Sequence, residues 1–263
     1  MAEEQRFATK AIHAHQEPNP IHGAVMPGIE MSTIYAQPSP DRKYSSYSYS
    51  RSNNPTRDTM EKLIASTEGG KYGISFGSGS AAIIAILSSL ASNKNIICGQ
   101  DVWGGTNRIN TLAKTVNNIN TKYIDLSGNN GVNAFKRLLS QNPTTKYELI
   151  WLESPTNPAL KVSDIKALCD IARENGIISV IDNTFASPYN TLPLTLGCDI
   201  VMHSVTKYLN GHSDVVMGIA VTNSDVLHQK IRYMQNTYGA VKDAFPCYLV
   251  IRSMKTLGVR MER

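Results

Sequence analysis

Short, almost continuously apolar segments alternate with longer amphipathic segments from residue 57 onward, and this alternation restricts the fold more than any other feature of the chain. The apolar runs at 72–76, 147–152 and 177–181 are typical of strands that are buried on both faces of a parallel sheet. In the longer segments between such runs, apolar residues recur every three or four positions, as they do on one face of a helix. Repeated strand–helix–strand units predict an α/β domain with a mostly parallel sheet.

The same pattern assigns individual elements. Strands are predicted at 72–76, 96–98, 122–125, 147–152, 177–181, 199–203 and 217–221. Helices are predicted at 57–67, 80–91, 106–116, 132–139, 163–175, 226–236 and 245–257. Ser163 is expected to cap its helix and Gly176 to end it. Residues 1–56, which carry six prolines and a Tyr- and Ser-rich tract, are expected to be irregular.

Composition and charge argue against several classes of protein. The net charge is +5, from 26 basic and 21 acidic residues, and no run of lysines or arginines forms a nucleic-acid-binding stripe. No apolar stretch approaches the length that spans a bilayer, and residues 1–6 contain no hydrophobic signal core. The four cysteines have neither metal-site nor disulfide spacing, so buried free thiols are expected. We therefore expect a cytoplasmic protein that binds no nucleic acid, membrane or metal.

The loop Gly77-Ser78-Gly79-Ser80 follows a predicted strand and opens a predicted helix. Its glycines allow a ligand to approach the backbone closely, and a helix N-terminus favours a phosphate. The run from Gly77 to Ala82 also satisfies the loose dinucleotide form GxGxxA, and Asp101 lies at about the expected distance after it. The loop alone leaves three alternatives open: a phosphate, a dinucleotide, or a plain turn.

Two further segments follow predicted strands and carry ionisable side chains. Asp182 ends a buried apolar strand, where a carboxylate is costly without a partner. A pyridinium nitrogen would be such a partner, and a turn or cap aspartate is the simpler alternative. Lys207 follows Ser204 and Thr206, and a lysine amine can form a Schiff base with an aldehyde, although a lone lysine is usually only solvated.

The run from Ser204 to Lys207 also matches the SxxK of serine β-lactamases. That family additionally needs SDN and KTG elements, and this chain has no SDN and only Lys255-Thr-Leu-Gly258 in place of KTG. We reject that alternative. A phosphate cradle, a carboxylate for a ring nitrogen and a lysine for an aldehyde together indicate pyridoxal 5'-phosphate (PLP).

Four segments resemble, in order, those of the PLP-dependent enzymes of cysteine and methionine metabolism. They are Tyr49-Ser-Arg51 with Asn54-Pro-Thr56, Glu153-Ser-Pro-Thr-Asn157-Pro, Asp182-Asn-Thr184-Phe, and Ser204 to Gly218, which is similar to the PLP-lysine signature. The resemblance covers essentially the whole chain. It implies a type-I PLP-dependent transferase fold, with a mostly parallel, seven-stranded-type sheet flanked by helices. Family members continue into a small C-terminal domain, which we expect to be missing from this chain.

The resemblance also implies roles for single residues. Lys207 is expected to bind the cofactor and to move protons, Asp182 to pair with the ring nitrogen, and Asn157 to contact the ring hydroxyl. Thr184 is expected to lie in the cofactor site. The phosphate is expected to be held by Gly77, Ser78, Ser204 and Thr206.

The family usually has a tyrosine where this chain has Trp103. An indole can stack on the cofactor ring as a phenol does, so Trp103 is expected at the catalytic centre. An indole cannot exchange a proton as a phenol can, so the usual acid toward the leaving group is in doubt.

The resemblance implies three regions and an oligomer. Residues 1–56 are expected to form an arm whose Tyr49 and Arg51 reach the phosphate of a neighbouring subunit in a homodimer that assembles into a homotetramer. Residues 57–245 are expected to form the PLP-binding domain and 246–263 the start of a linker helix.

Gly105 and the stretch 208–214 resemble the γ-lyase and γ-synthase branch. The implied reaction is γ-elimination on cystathionine to cysteine, 2-oxobutanoate and ammonia. The alternatives are a γ-synthase, a β-lyase, or a PLP-binding chain with impaired turnover.

Overall fold

A computed structural model describes residues 6–42 and 44–263, and the predicted sheet is present in it as seven strands. The strands are β1 (Tyr72–Phe76), β2 (Asn95–Gly99), β3 (Asn120–Ile124), β4 (Tyr147–Glu153), β5 (Ile178–Asp182), β6 (Ile200–Ser204) and β7 (Gly218–Thr222). Their spatial order is β1-β7-β6-β5-β4-β2-β3. Strand β7 runs antiparallel to β1 and β6, whereas the remaining adjacent pairs are parallel. The α/β fold with a mostly parallel sheet is therefore confirmed.

The helices cover both faces of this sheet. They are α1 (Phe7–His13), α2 (Pro55–Thr67), α3 (Gly79–Leu90), α4 (Gly104–Asn117), α5 (Gly128–Gln141), α6 (Ile165–Glu174), α7 (Ser187–Asn190), α8 (Asp225–Tyr238), α9 (Ala244–Met254) and α10 (Leu257–Met261). A 3₁₀ turn at Pro193–Leu196 lies between α7 and β6.

Two local expectations were wrong. The first 56 residues are not wholly irregular, because α1 forms among them and packs on α2 and α10. The N-cap of α6 is Asp164 rather than Ser163, since the Asp164 side chain accepts a hydrogen bond of 3.0 Å from the backbone N–H of Ala167. Gly176 does end that helix region, with a positive φ of 65°.

Two apolar layers sandwich the sheet. On one side α3, α4 and α8 pack against side chains such as Val180 and Met202. On the other side α2, α5, α6 and α9 pack against side chains such as Ile181 and Val201. Each fully buried Leu or Ile contributes roughly 1.5–3 kcal/mol, so the strands and their carboxyl ends are held in fixed positions.

The predicted domain boundary at residue 245 falls inside α9, whose Cys247, Val250 and Met254 are buried in the core beside α2. The division into an arm, a large domain and a linker stays a prediction. All four cysteines are buried and unbridged, as expected. Among residues 6–42 and 44–263, none of the helices has the length and apolarity that a membrane span requires.

Candidate active site

A cavity of about 210 Å³ opens at the carboxyl ends of β4, β5 and β6. This is the edge at which open α/β sheets bind ligands. The polar residues that line it are Ser78, Ser80, Trp103, Glu153, Asn157, Asp182, Thr184, Ser204, Thr206 and Lys207. Its apolar lining includes Ile83, Phe185, Met202 and Val216. The residues predicted for the cofactor therefore come together here, except for Gly77, Tyr49 and Arg51.

The N-terminus of α3 forms one end of the cavity. Ser78 is the N-cap of this helix, and its hydroxyl oxygen accepts a hydrogen bond of 3.1 Å from the backbone N–H of Ala81. Its hydroxyl hydrogen remains available to an anion, as do the first N–H groups of the helix. Strand β7 passes so close that a Cβ on Gly218 would overlap the backbone of Ser78 and Gly79. Glycine at 218 therefore lets the sheet and the turn meet.

The ends of β5 and β6 are joined by one hydroxyl. Thr184 donates to Asp182 Oδ1 over 2.5 Å and accepts from the backbone N–H of Ser204 over 2.8 Å. The backbone N–H of Thr184 also donates to Asp182 Oδ1, over 3.0 Å. Both of these hydrogen bonds end on one oxygen, so Oδ2 is the Asp182 oxygen left for a ligand.

Two buried carboxylates lie side by side in this cavity. Glu153, at the end of β4, is in register with Asp182, at the end of β5. Burial and the charge of Asp182 raise the pKa of Glu153 to about 8, although hydrogen bonds from backbone N–H groups oppose the shift. Burial also raises the pKa of Asp182, against the hydrogen bonds from Thr184. No arginine or lysine among the described residues forms an ion pair with either of them.

Lys207 lines the same cavity as these carboxylates and lies in the turn that follows β6. Its backbone N–H donates to the carbonyl of Ser204 over 3.1 Å, and its carbonyl accepts from Gly211 over 2.7 Å, which fixes the turn. Within the described residues its ammonium has no hydrogen-bond partner. Its amine is thus free to react at the cavity.

Trp103 forms the wall above the cavity at the start of α4 and is 37% exposed. Its indole covers Gly105 so closely that a Cβ on Gly105 would overlap the ring. Glycine at position 105 therefore sets the height at which the indole lies.

Three predicted residues do not line the cavity. The backbone N–H of Gly77 donates to the carbonyl of Ala240 over 3.1 Å. Arg51 donates to the carbonyl of Asn236 over 2.6 Å, and its guanidinium lies 5.4 Å from the centre of the half-exposed Tyr49 ring. The expected roles of these residues toward a phosphate stay predictions.

Sequence reasoning missed several members of the site. Glu153 stands inside a motif that was noted, but no role was assigned to it. Its position at the end of an apolar strand, like that of Asp182, was the signal that would have found it. Phe185 and Val216 carry no pattern that separates them from ordinary core residues.

Comparison with known proteins decides the family. The family model for Cys/Met metabolism PLP-dependent enzymes matches residues 8–263. The chain belongs to this family. Its cofactor is therefore PLP, and the cavity fits that group. The α3 N-terminus and its hydroxyls suit a phosphate, the uncompensated Asp182 suits a ring nitrogen that carries a proton, and the Lys207 amine suits an aldehyde.

The chain is similar to cystathionine lyases and to a probable cystathionine synthase. Cystathionine gamma-lyase of Dictyostelium discoideum is 47% identical over 98% of this chain and 65% of its own length. A probable cystathionine gamma-synthase of Herpetosiphon aurantiacus is 44% identical over 97% of this chain and 77% of its own length. The crystal structure of cystathionine gamma-lyase from yeast superposes with a TM-score of 0.89 at 40% identity, over 98% of this chain and 65% of that one. The chain thus spans less than two thirds of the lyases it matches.

Proposed function

We propose that this chain forms the PLP-binding part of an enzyme that cleaves cystathionine by γ-elimination. Water and cystathionine give cysteine, 2-oxobutanoate and ammonia in this reaction. The observation that carries the proposal is the grouping of Asp182, Lys207 and the α3 N-terminus around one cavity. The similarity to cystathionine gamma-lyases over nearly the whole chain supports the choice of substrate.

When bound, PLP withdraws electrons from the substrate carbon atoms and so makes their protons acidic. The residues of the chain hold it. The N–H groups of α3 with Ser78, Ser204 and Thr206 would bind the phosphate. Asp182 Oδ2 would keep a proton on the ring nitrogen, Asn157 would contact the ring oxygen, and Trp103 would stack on the ring.

Proton transfer falls to Lys207. Glu153, Asp182 and Lys207 are the acids and bases that line the described cavity. Both Glu153 oxygens accept backbone N–H groups, and Asp182 is assigned to the ring. Lys207 therefore takes the protons from the substrate carbons and returns one to the departing sulfur, since the indole of Trp103 cannot donate it.

A γ-synthase is the second candidate. It is favoured by the relative from Herpetosiphon, of which the chain covers the larger share. The same cavity would then exchange the γ-substituent of the substrate for a thiol instead of releasing 2-oxobutanoate.

We further propose that the working enzyme is a cytoplasmic homodimer that assembles into a homotetramer. Residues 6–53 carry exposed apolar side chains at Ile21, Val25, Met31 and Ile34, and such side chains are typical of surfaces that another chain covers. In this proposal Tyr49 and Arg51 complete the phosphate site of the neighbouring subunit.

The test is an absorption spectrum of the PLP-treated protein before and after cystathionine is added, with 2-oxobutanoate assayed in parallel. A cofactor band that is absent in Lys207→Ala and present in Lys230→Ala, an exposed lysine on α8, is expected. Release of 2-oxobutanoate from the parent supports the lyase. Turnover only when a second thiol is supplied favours the synthase, and a band that no substrate alters would contradict both.

A further inference from the structure

The carboxylate of Glu153 is hydrogen-bonded to two separate segments of the cavity wall and lies beside a third. Glu153 Oε2 accepts the backbone N–H of Trp103 over 2.8 Å, and Glu153 Oε1 accepts the backbone N–H of Asn157 over 2.7 Å. On the neighbouring strand Asp182 lies in register with it. Glu153 therefore accepts hydrogen bonds from the segments of Trp103 and Asn157 and lies beside Asp182 on the neighbouring strand.

Among the described residues, no arginine or lysine forms an ion pair with Glu153. Asp182 faces it from β5, and the buried thiol of Cys98 lies near it on β2. Lys161 is paired with Asp101 over 2.6 Å. His203, on β6, is bound to Glu68 and acts to lower the pKa of Asp182, but burial outweighs it. Lys207 lines the same cavity and forms no ion pair with either carboxylate within the described residues.

We propose that Glu153 is a positioning residue of the cofactor site, which holds Trp103 and Asn157 in place around the ring and shares with Asp182 the binding of the ring's positive charge. The geometry alone gives the first half of this role, because a side chain that accepts from both segments sets the width of the gap between them. The shared binding of the ring's positive charge by Glu153 and Asp182 follows from electrostatics.

A cation at Asp182 changes the protonation of Glu153. In the cofactor-free protein, burial and Asp182 raise the pKa of Glu153 to about 8, so at neutral pH this carboxyl holds a proton. A protonated ring nitrogen placed beside Asp182 favours the ionised form of both carboxyls. Cofactor binding then releases a proton from Glu153, and the affinity for PLP rises with pH until the pH reaches about 8.

The inference rests on PLP binding and not on the proposed reaction, so it is tested without turnover. PLP is titrated into cofactor-free parent, Glu153→Gln and Glu148→Gln between pH 6 and pH 8, with absorbance as the readout. Glu148 is the matched control on the same strand, where its carboxylate pairs with Lys94 at the surface. Groups that titrate on PLP itself are common to all three proteins and cancel in the ratio of affinities.

The affinity of the parent relative to Glu153→Gln is expected to be within a few-fold at pH 6, where both side chains are neutral. It should grow by up to about tenfold per pH unit toward pH 8. Glu148→Gln should follow the parent throughout. A ratio that does not change with pH overturns the charge-sharing half of the proposal.

The positioning half has its own readout. Trp103 and Trp151 are the two tryptophans of the chain, and Trp151 is only 1% exposed. Acrylamide quenching of the cofactor-free protein therefore reports mainly on Trp103. Glu153→Gln is expected to increase that quenching with an unchanged circular dichroism spectrum, and Glu153→Asp to increase it less. Quenching equal to that of the parent in both variants overturns the positioning role.

Discussion

Buried carboxylates have opposite electrostatic surroundings in two regions of this protein, at Glu61 and at Glu153 with Asp182. Glu61 on α2 accepts hydrogen bonds from the backbone and side chain of Ser75, and its oxygens pair with Arg232, at 2.5 Å for the shortest contact. Burial alone would raise the pKa of Glu61, but the charge and hydrogen bonds of Arg232 outweigh it and hold the pKa below its ordinary value. Glu153 and Asp182 form no ion pair with an arginine or lysine of the described residues, and burial raises the pKa of both.

This difference in surroundings distinguishes a carboxylate that stabilises the fold from carboxylates that can bind a ligand. The Glu61 pair joins α2, β1 and α8, and it is complete without a ligand. Burial of Glu153 and Asp182, at the ends of β4 and β5, has an electrostatic cost that protonation or a bound cationic group relieves. Unfavourable buried charge in a cavity is a mark of binding sites, and here that cost lies beside a free lysine amine.

The largest expected effect on stability comes from removing the charge of Glu61, the partner of Arg232. Glu61→Gln leaves the charge of Arg232 without its partner, which should lower the free energy of unfolding by about 3 kcal/mol. The exposed pair of Lys71 and Asp225 is the control, and Asp225→Asn should lower the free energy of unfolding far less, because an exposed ion pair is screened by solvent. Urea unfolding measures both, and equal small losses would show that the buried pair contributes little.

Removing the charge of Asp182 is expected to change cofactor affinity strongly and stability little, which is the opposite of the emphasis at Glu61. Asp182→Asn removes an uncompensated buried charge, so the cofactor-free protein should lose no more than about 1 kcal/mol of stability. The affinity for PLP should fall about ten- to a hundredfold, because a charge-assisted hydrogen bond is replaced by a neutral one. A spectral titration checks this, with Asp170→Asn on the surface of α6 as the control. A large loss of stability with normal affinity would mean that Asp182 is structural.

The pH dependence of stability sharpens the comparison. A carboxyl whose folded pKa is raised binds more protons in the folded state, so stability falls as pH rises from about 4.5, its ordinary value, to about 8. For Glu153 the slope is at most about 1.4 kcal/mol per pH unit. Glu61 acts in the other direction, since its pKa is lowered and its contribution is lost at acidic pH.

Urea unfolding of the cofactor-free protein at pH 5.5, 6.5 and 7.5 tests this dependence. Glu153→Gln should flatten the decline, and a decline as steep as that of the parent would assign it to other groups.

The smallest expected effect separates position from charge. Gly105→Ala pushes the indole of Trp103 into the cavity without changing either carboxylate. The affinity for PLP should fall severalfold, while the pH dependence of stability is retained. Gly104→Ala is a matched control, because its Cβ would meet no atom within 4 Å. If the two variants bind PLP equally well, the indole is free to move aside.

Much of the site was predictable because it follows strands. The apolar runs predicted the sheet, and the carboxyl ends of strands pointed to Ser78, Asp182 and Lys207. Glu153 also ends a strand, which marks it as a candidate, but its position beside Asp182 depends on the register of β4 with β5, which the sequence pattern does not contain. The cap of α6 shows the same limit on a small scale, since Ser163 and Asp164 are both good N-caps and backbone geometry chose the second.

The sequence by itself determined the succession of strands and helices along the chain. It also determined which side chains end each strand, because hydrophobic periodicity and capping are local properties of a chain. Only the tertiary structure decided which buried carboxylates have a cation. Glu61 accepts a hydrogen bond from Arg232, which is 171 positions away in the sequence, whereas Glu153 lies beside Asp182 on the neighbouring strand. Electrostatic interactions depend on distance in space, so the same residue type became a structural tie in one place and a binding group in the other.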